Sequence, residues 1–218
     1  MPRQRVPYTR PEVKRDARLI IIATEGRKTE PIYFEALKKK YLSSGVHVEI
    51  IDRKTDSSNP ERVMEALDEF ADKYEIAYDD ELWMVVDRDY QSWGERELSY
   101  ATQQCHRKKG YHLGLSNPAF EIWLLLHLVD LDTYSSGEKD RLYKNPKVST
   151  HKTLLKQEVS NHMPDGFRES DYNAEYLIQF VNQAIRQARS LDRNPRERWP
   201  NQLGTRVYRL AEKIKKGK

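Results

Sequence analysis

The chain has 218 residues, 38% hydrophobic and 33% charged, enough for one sizeable domain with an appendage or two small ones. No apolar run approaches the roughly 18 residues of a membrane span, no apolar stretch follows Met1-Pro2-Arg3 to make a secretory signal, and the lone Cys105 excludes an internal disulfide or a Cys-rich zinc site. The net charge of +4 is uneven, with +4 on residues 1–18, +8 on residues 186–218 and −8 between them, which suits a protein that holds a polyanion and keeps carboxylates at its reaction centre.

Residues 1–17, with Pro2, Pro7 and Pro11 among basic side chains, read as a flexible arm. Arg18–Thr24 is a β-branched run that predicts a strand buried on both faces. Glu25-Gly26 breaks it. Thr29 then opens a helix with Pro31 in its first turn and Tyr33, Phe34, Leu37 and Tyr41 at helical spacing. Ser43-Ser44-Gly45 ends that helix, and Val46–Ile51 alternates as a second strand. A second helix opens at Asp56–Pro60 with Val63, Met64, Leu67 and Phe70 on one face, and Glu81–Val86 is a third buried strand ending at Asp87. Glu95–Lys109 reads as a helix, Tyr111–Leu115 as a fourth strand, and Ser116-Asn117-Pro118 starts a strongly apolar helix. This alternation over residues 18–130 predicts a mainly parallel, four-stranded α/β sheet flanked by helices. Residues 131–218 are expected to pack on or beside it. Within them, 130–170 read as loop-rich with one short helix, Asn173–Ser190 as a helix, and Thr205–Lys216 as a last basic helix.

In an open α/β sheet, function collects at the carboxyl ends of the strands. Glu25 stands at one such end, and Asp87-Arg88-Asp89 at another. Residues i and i+2 of an extended segment point the same way, so Asp87 and Asp89 can face one ion. Clustered carboxylates raise one another's pKa unless a cation sits among them, and hard oxygen donors favour Mg²⁺ or Mn²⁺ over zinc. The plainer reading makes these acids turn or cap residues.

Other residues carry two readings. Glu121 is the lone acid of the apolar run from Pro118 to Val129. Either it is partnered near the site or it favours its helix dipole. Glu30 has the same alternatives. His127 shares a face with Phe120, Trp123 and Leu124 and reads as a core histidine before a base. Arg27, Lys28, Arg88 and Asn117 are candidates to hold substrate phosphate, although the three cations could merely neutralise the acids. Tyr90 and Trp93 are candidates to stack on bases, or they pack locally. Residues 186–218, through Arg206, Arg209, Lys213, Lys215 and Lys216, are expected to add sequence-independent nucleic-acid affinity.

Glu25-Gly26 followed two strands later by Asp87-Arg88-Asp89 resembles the Toprim domain of topoisomerases, primases and OLD-type nucleases. More specifically, Glu25-Gly26-Arg27-Lys28-Thr29-Glu30-Pro31-Ile32-Tyr33-Phe34, then Val86–Asp89, then Ser116-Asn117-Pro118-Ala119-Phe120-Glu121-Ile122-Trp123 through His127 resembles the RloB-like family. That family occurs in bacterial restriction and abortive-infection loci, including the AbiL system. The resemblance implies Glu25 as general acid/base and Asp87 and Asp89 as metal holders; all three acids are expected to converge within reach of one ion, and Glu121, from its place in the apolar run, is a further catalytic candidate. It also implies a Mg²⁺-dependent antiviral endonuclease, RNA such as tRNA favoured over DNA, and a nearby-encoded ABC/SMC-type ATPase partner. A homodimer stays open. Two alternatives are a haloacid-dehalogenase-type phosphatase using Asp87 and Asp89, against which Gln91 stands where that family has Thr or Val, and a non-catalytic Toprim scaffold.

Overall fold

The structure, a computed structural model, describes residues 17–41, 45–51, 60–88 and 95–216. The expectations for the N-terminal arm, for the start of the second helix, and for Asp89, Tyr90 and Trp93 lie outside these residues.

Strands β1 (Arg18–Thr24), β2 (Val46–Ile51), β3 (Glu81–Asp87) and β4 (Tyr111–Asn117) pair in parallel in the order β2-β1-β3-β4. A fifth strand, β7 (Gly204–Thr205), closes the β4 edge antiparallel, with Ser116 opposite Thr205 and Asn117 opposite Gly204. The sheet therefore has five strands where four were expected. The extra strand is two residues long, too short to leave a period in the sequence.

The period of two along each strand sorts side chains into two cores. Ile20, Ile22, Trp83 and Val85 face one. Leu19, Ile21, Ala23, Leu82, Met84 and Val86 face the other. Helices α2 (Pro60–Lys73) and α3 (Glu95–Arg107) cover the second face through Val63, Leu67, Leu98 and Ala101. Cys105 is fully buried there, and burial pushes its thiol up to about 12, so it is an inert core residue.

On the first face lie α1 (Thr29–Lys40) and α4 (Glu121–Leu128). Glu121 through His127 are all buried, which requires neighbours on every side of α4. The C-terminal region supplies them. After α5 (Ser136–Lys144) and the hairpin β5 (Lys147–Ser149) and β6 (Lys152–Thr153) come α6 (Leu154–His162), α7 (Ala174–Ile178), α8 (Val181–Leu191) and α9 (Val207–Lys215). One apolar cluster runs from Ile20 through Leu155 and Leu177 to Ile214. Gln187 also binds the end of α4, donating to the carbonyls of Leu126 at 2.9 Å and Val129 at 2.6 Å and accepting from the Leu131 amide at 2.8 Å. These contacts satisfy carbonyls that a helix end leaves open.

Three sequence expectations change here. Residues 130–170 hold a short 3-10 helix at Leu131–Thr133, two α-helices and a hairpin rather than mostly loop. The expected helix 173–190 is broken at Gln179-Phe180 into α7 and α8. The last helix begins at Val207, because Gly204-Thr205 is taken into the sheet. Among the described residues no helix is long and apolar enough to cross a membrane.

His127 takes the core reading. Its Nε2 meets the Tyr33 hydroxyl at 3.0 Å, its Nδ1 meets the Trp123 carbonyl at 2.8 Å, and burial lowers its pKa from 6.5 to about 4. Unfolded protein then takes up this proton before folded protein does, so stability falls as pH drops from 6.5 towards 4. The gap is worth about 3 kcal/mol. Urea unfolding between those limits is expected to show wild type losing that much more than His127→Gln. Equal losses would mean that His127 is not held neutral.

Candidate active site

The ladder of β1 continues past its end, the Glu25 amide donating to the Val85 carbonyl at 2.9 Å. Glu25 then turns its carboxylate onto the neighbouring strand, where Oε2 accepts the Asp87 amide at 3.0 Å. Two acids 62 positions apart are thus joined at the carboxyl edge of the sheet. The turn after Glu25 is held by the Thr24 hydroxyl, which donates to the Gly26 carbonyl at 2.6 Å. Glu30, in the first turn of α1, reaches back so that Oε1 accepts the Gly26 amide at 2.9 Å. A Cβ at position 26 would lie 2.0 Å from Glu30 Oε2, so this approach requires glycine.

Five carboxylates line one cavity of about 750 Å³: Glu25, Glu30, Asp87 and Glu121, and on its far side Glu169, which pairs with Lys156. Burial pushes Glu30 up to about 7, and the charges of Glu121 and Glu25 add to that. Burial and then the charges of Glu25, Glu30 and Glu121 hold Asp87 well above the usual carboxylate range, against one hydrogen bond from the Phe120 amide. Burial also raises Glu121, partly offset by Lys156. Such a group of acids is under electrostatic strain without a cation. Its donors are all hard oxygens, which fit Mg²⁺ or Mn²⁺.

The structure brings Glu25, Asp87 and Glu121 together, with Glu30 among them and Arg27 and Lys28 on the rim. Among the described residues no three His, Cys, Asp or Glu side chains are set to hold one ion, and the expected third ligand, Asp89, lies outside those residues. Two expected substrate contacts stand apart from the cavity. Arg88 places its guanidinium 5.1 Å above the Trp199 ring. Asn117 is fully buried and donates to the Pro200 carbonyl at 2.7 Å, so it is part of the scaffold behind the site.

Four of the five C-terminal cations expected to add nucleic-acid affinity, Arg206, Arg209, Lys213 and Lys215, are engaged in the fold. Arg206 is 3% exposed and grips Asp192 at 3.1–3.2 Å. Arg209 bonds Asp192 at 2.9 Å, Lys213 bonds Glu81 at 2.8 Å, and Lys215 bonds Asn182. A helix pattern shows which residues are basic, but not which acids the fold sets opposite them.

Sequence reasoning missed the far wall of the cavity, made by Tyr143, Lys144, Asn145, Lys147, Thr153 and Lys156. Lys156 pairs with Glu169 and lies 4.0 Å from Glu121. Burial works against its charge, but Glu121, Glu169 and Asp87 outweigh it and keep its pKa above the ordinary value. One signal was available: between Arg141 and Gln157 the chain has five Lys or Arg and no acid.

A family model described as RloB-like protein matches residues 20–214. No curated protein and no solved structure matches the chain.

Proposed function

Since that match spans nearly the whole chain, the chain belongs to the RloB-like family, and from that premise we propose a Mg²⁺-dependent endonuclease with its centre at Glu25 and Asp87. The observation that carries the reading is the meeting of Glu25, Glu30, Asp87 and Glu121 in one cavity at the carboxyl edge of a mainly parallel sheet, consistent with a Toprim-like fold. Glu25 and Asp87, with Asp89 close by in sequence, would hold Mg²⁺ or Mn²⁺. When bound, that ion supplies charge stabilisation on a phosphoryl oxygen.

The chain's own residues supply the remainder. Glu25 carries a proton between water and the reacting oxygens, as a general acid/base. Its hydrogen bond to the Asp87 amide fixes where that carboxylate sits. Arg27 and Lys28 on the rim attract and seat the phosphate. Glu121, among the acids, and Lys156, 4.0 Å from it on the far wall, set the charge between the two sides of the cavity. RNA, tRNA within it, is the favoured substrate, antiviral abortive infection the favoured role, and an ABC/SMC-type ATPase the favoured partner. These three rest on the family resemblance.

The test is to incubate the pure protein with total tRNA, plasmid and single-stranded DNA in Mg²⁺, Mn²⁺ or EDTA. Cleavage is expected with either metal and none with EDTA. Asp87→Asn keeps an oxygen to accept the Phe120 amide but loses the charge that draws a cation. Its metal affinity, measured by calorimetry, should drop, and excess metal should restore part of the cutting. Absence of cleavage from every substrate with both metals would leave the non-catalytic scaffold as the reading.

A further inference from the structure

The wall facing the acids is built as a rigid projecting element. Leu142, Leu154 and Leu155 are buried and anchor the end of α5 and the start of α6. Asn145 takes a left-handed conformation (φ 43°), and its side chain accepts the Leu155 amide at 2.9 Å. The Leu154 amide donates to the Pro146 carbonyl at 2.9 Å. The chain between is thus pinched at its base into the β5–β6 hairpin, where Lys147 pairs with Thr153 and Ser149 with Lys152. Every residue of β5 is exposed, Val148 included at 42%.

Arg141, Lys144, Lys147, Lys152 and Lys156 lie on this element, with no acid between the first and the last. Lys144, Lys147 and Lys156 line the same cavity as Glu25, Glu30, Asp87 and Glu121. Among the described residues Lys144 has an exposed i,i+4 pair with Asp140, which is worth little and yields easily to another anion. Lys147 and Lys152 have no ion pair among the described residues. Cations without a carboxylate partner, standing in a row beside the cavity, make a site for a polyanion. A phosphodiester strand fits it, its backbone lying on the ridge and one phosphate entering the cavity, where a bound cation would screen it from the acids.

We propose that the segment Arg141–Lys156, rather than the basic C-terminus, is the surface that grips the backbone of a nucleic-acid strand and leads it to the acid cavity. This rests on reading that cavity as the place of cutting, but gripping can be measured without cutting. The probe is a fluorescent single-stranded RNA oligonucleotide in EDTA, with binding to the full chain followed by anisotropy over a salt series. Lys144→Gln/Lys147→Gln/Lys152→Gln is compared with a control, Arg186→Gln/Arg193→Gln/Lys216→Gln, which neutralises three exposed C-terminal cations. Each phosphate of a single strand that is no longer neutralised by a cation takes about 0.7 off the slope of log K against log salt. The hairpin variant should lose about 2 units of slope, the control none, with both melting as wild type does. A wild-type slope in the hairpin variant, a reduced slope confined to the control, or no binding by wild type would each overturn the proposal. If wild type grips through the hairpin yet cuts nothing in Mg²⁺ or Mn²⁺, the nuclease reading fails and the grip stands. Cutting that persists with an unchanged slope in the hairpin variant gives the reverse.

Discussion

Glu25→Gln is expected to lower the cleavage rate roughly 10²–10⁴-fold at saturating metal, the range for loss of a general acid/base. The substitution leaves the architecture in place. Glu25 Oε2 accepts the Asp87 amide at 3.0 Å, and a glutamine side-chain oxygen can accept the same hydrogen bond. What disappears is the ability to carry a proton. The loss corresponds to about 3–5 kcal/mol of transition-state stabilisation, too much to come from one weakened surface interaction. Binding of nucleic acid should survive, or tighten as one negative charge leaves the cavity floor. Toxicity in cells, if cutting causes it, should vanish. Single-turnover rates at saturating metal check this directly. A variant that cuts at the wild-type rate would make Glu25 a bystander and move the proton-transfer role to Glu121, a buried acid of the same cavity.

The second large effect is on stability. Asp192 is 5% exposed and accepts hydrogen bonds from Arg206, Tyr208 and Arg209. Arg206 also donates to the carbonyls of Glu197 at 2.6 Å and Asn194 at 3.0 Å. Together they clamp the loop that follows α8. That loop delivers Pro200 to Asn117 and Trp199 to Arg88, just beyond Asp87. Asp192→Ala leaves the Arg206 guanidinium buried without its counter-charge, and removing one partner of a buried pair costs about 3–5 kcal/mol. The double change Asp192→Leu/Arg206→Met removes both charges and should recover part of that loss, because the desolvation cost leaves with them. Chemical denaturation of the three proteins measures it. A loss in Asp192→Ala within about 0.5 kcal/mol, as for an ordinary surface substitution, would show that the clamp does not hold the loop.

The order of elements through residue 130 was legible because each carries its own period. Ile20 and Ile22 alternate with Leu19 and Ile21, and the α2 stripe of Val63, Met64, Leu67 and Phe70 is as regular. Strand ends are where such an alternation stops, so Glu25 and Asp87 could be placed at one sheet edge from sequence alone. Glu121 was marked by its isolation in an apolar run. Glu30 carried two readings in the sequence, a group near the site and a first-turn acid, and it stands in the first turn of α1 while lining the cavity. Its significance depends on Gly26 leaving room for its carboxylate, an approach that no spacing records.

Local pattern therefore determined the parallel sheet, its two cores, and the strand ends at which acids collect. Only the tertiary structure decided how the charges are partnered. Arg206 looked like surface for a polyanion until the fold buried it on Asp192, and Lys156 had no visible role until the fold set it 4.0 Å from Glu121. The two-residue strand β7 likewise exists only because β4 offers it an edge. Burial on a strand or helix repeats with the backbone and so leaves a trace every two or three to four residues. An ion pair or a strand partner across the chain is fixed by long-range contact and leaves no such period.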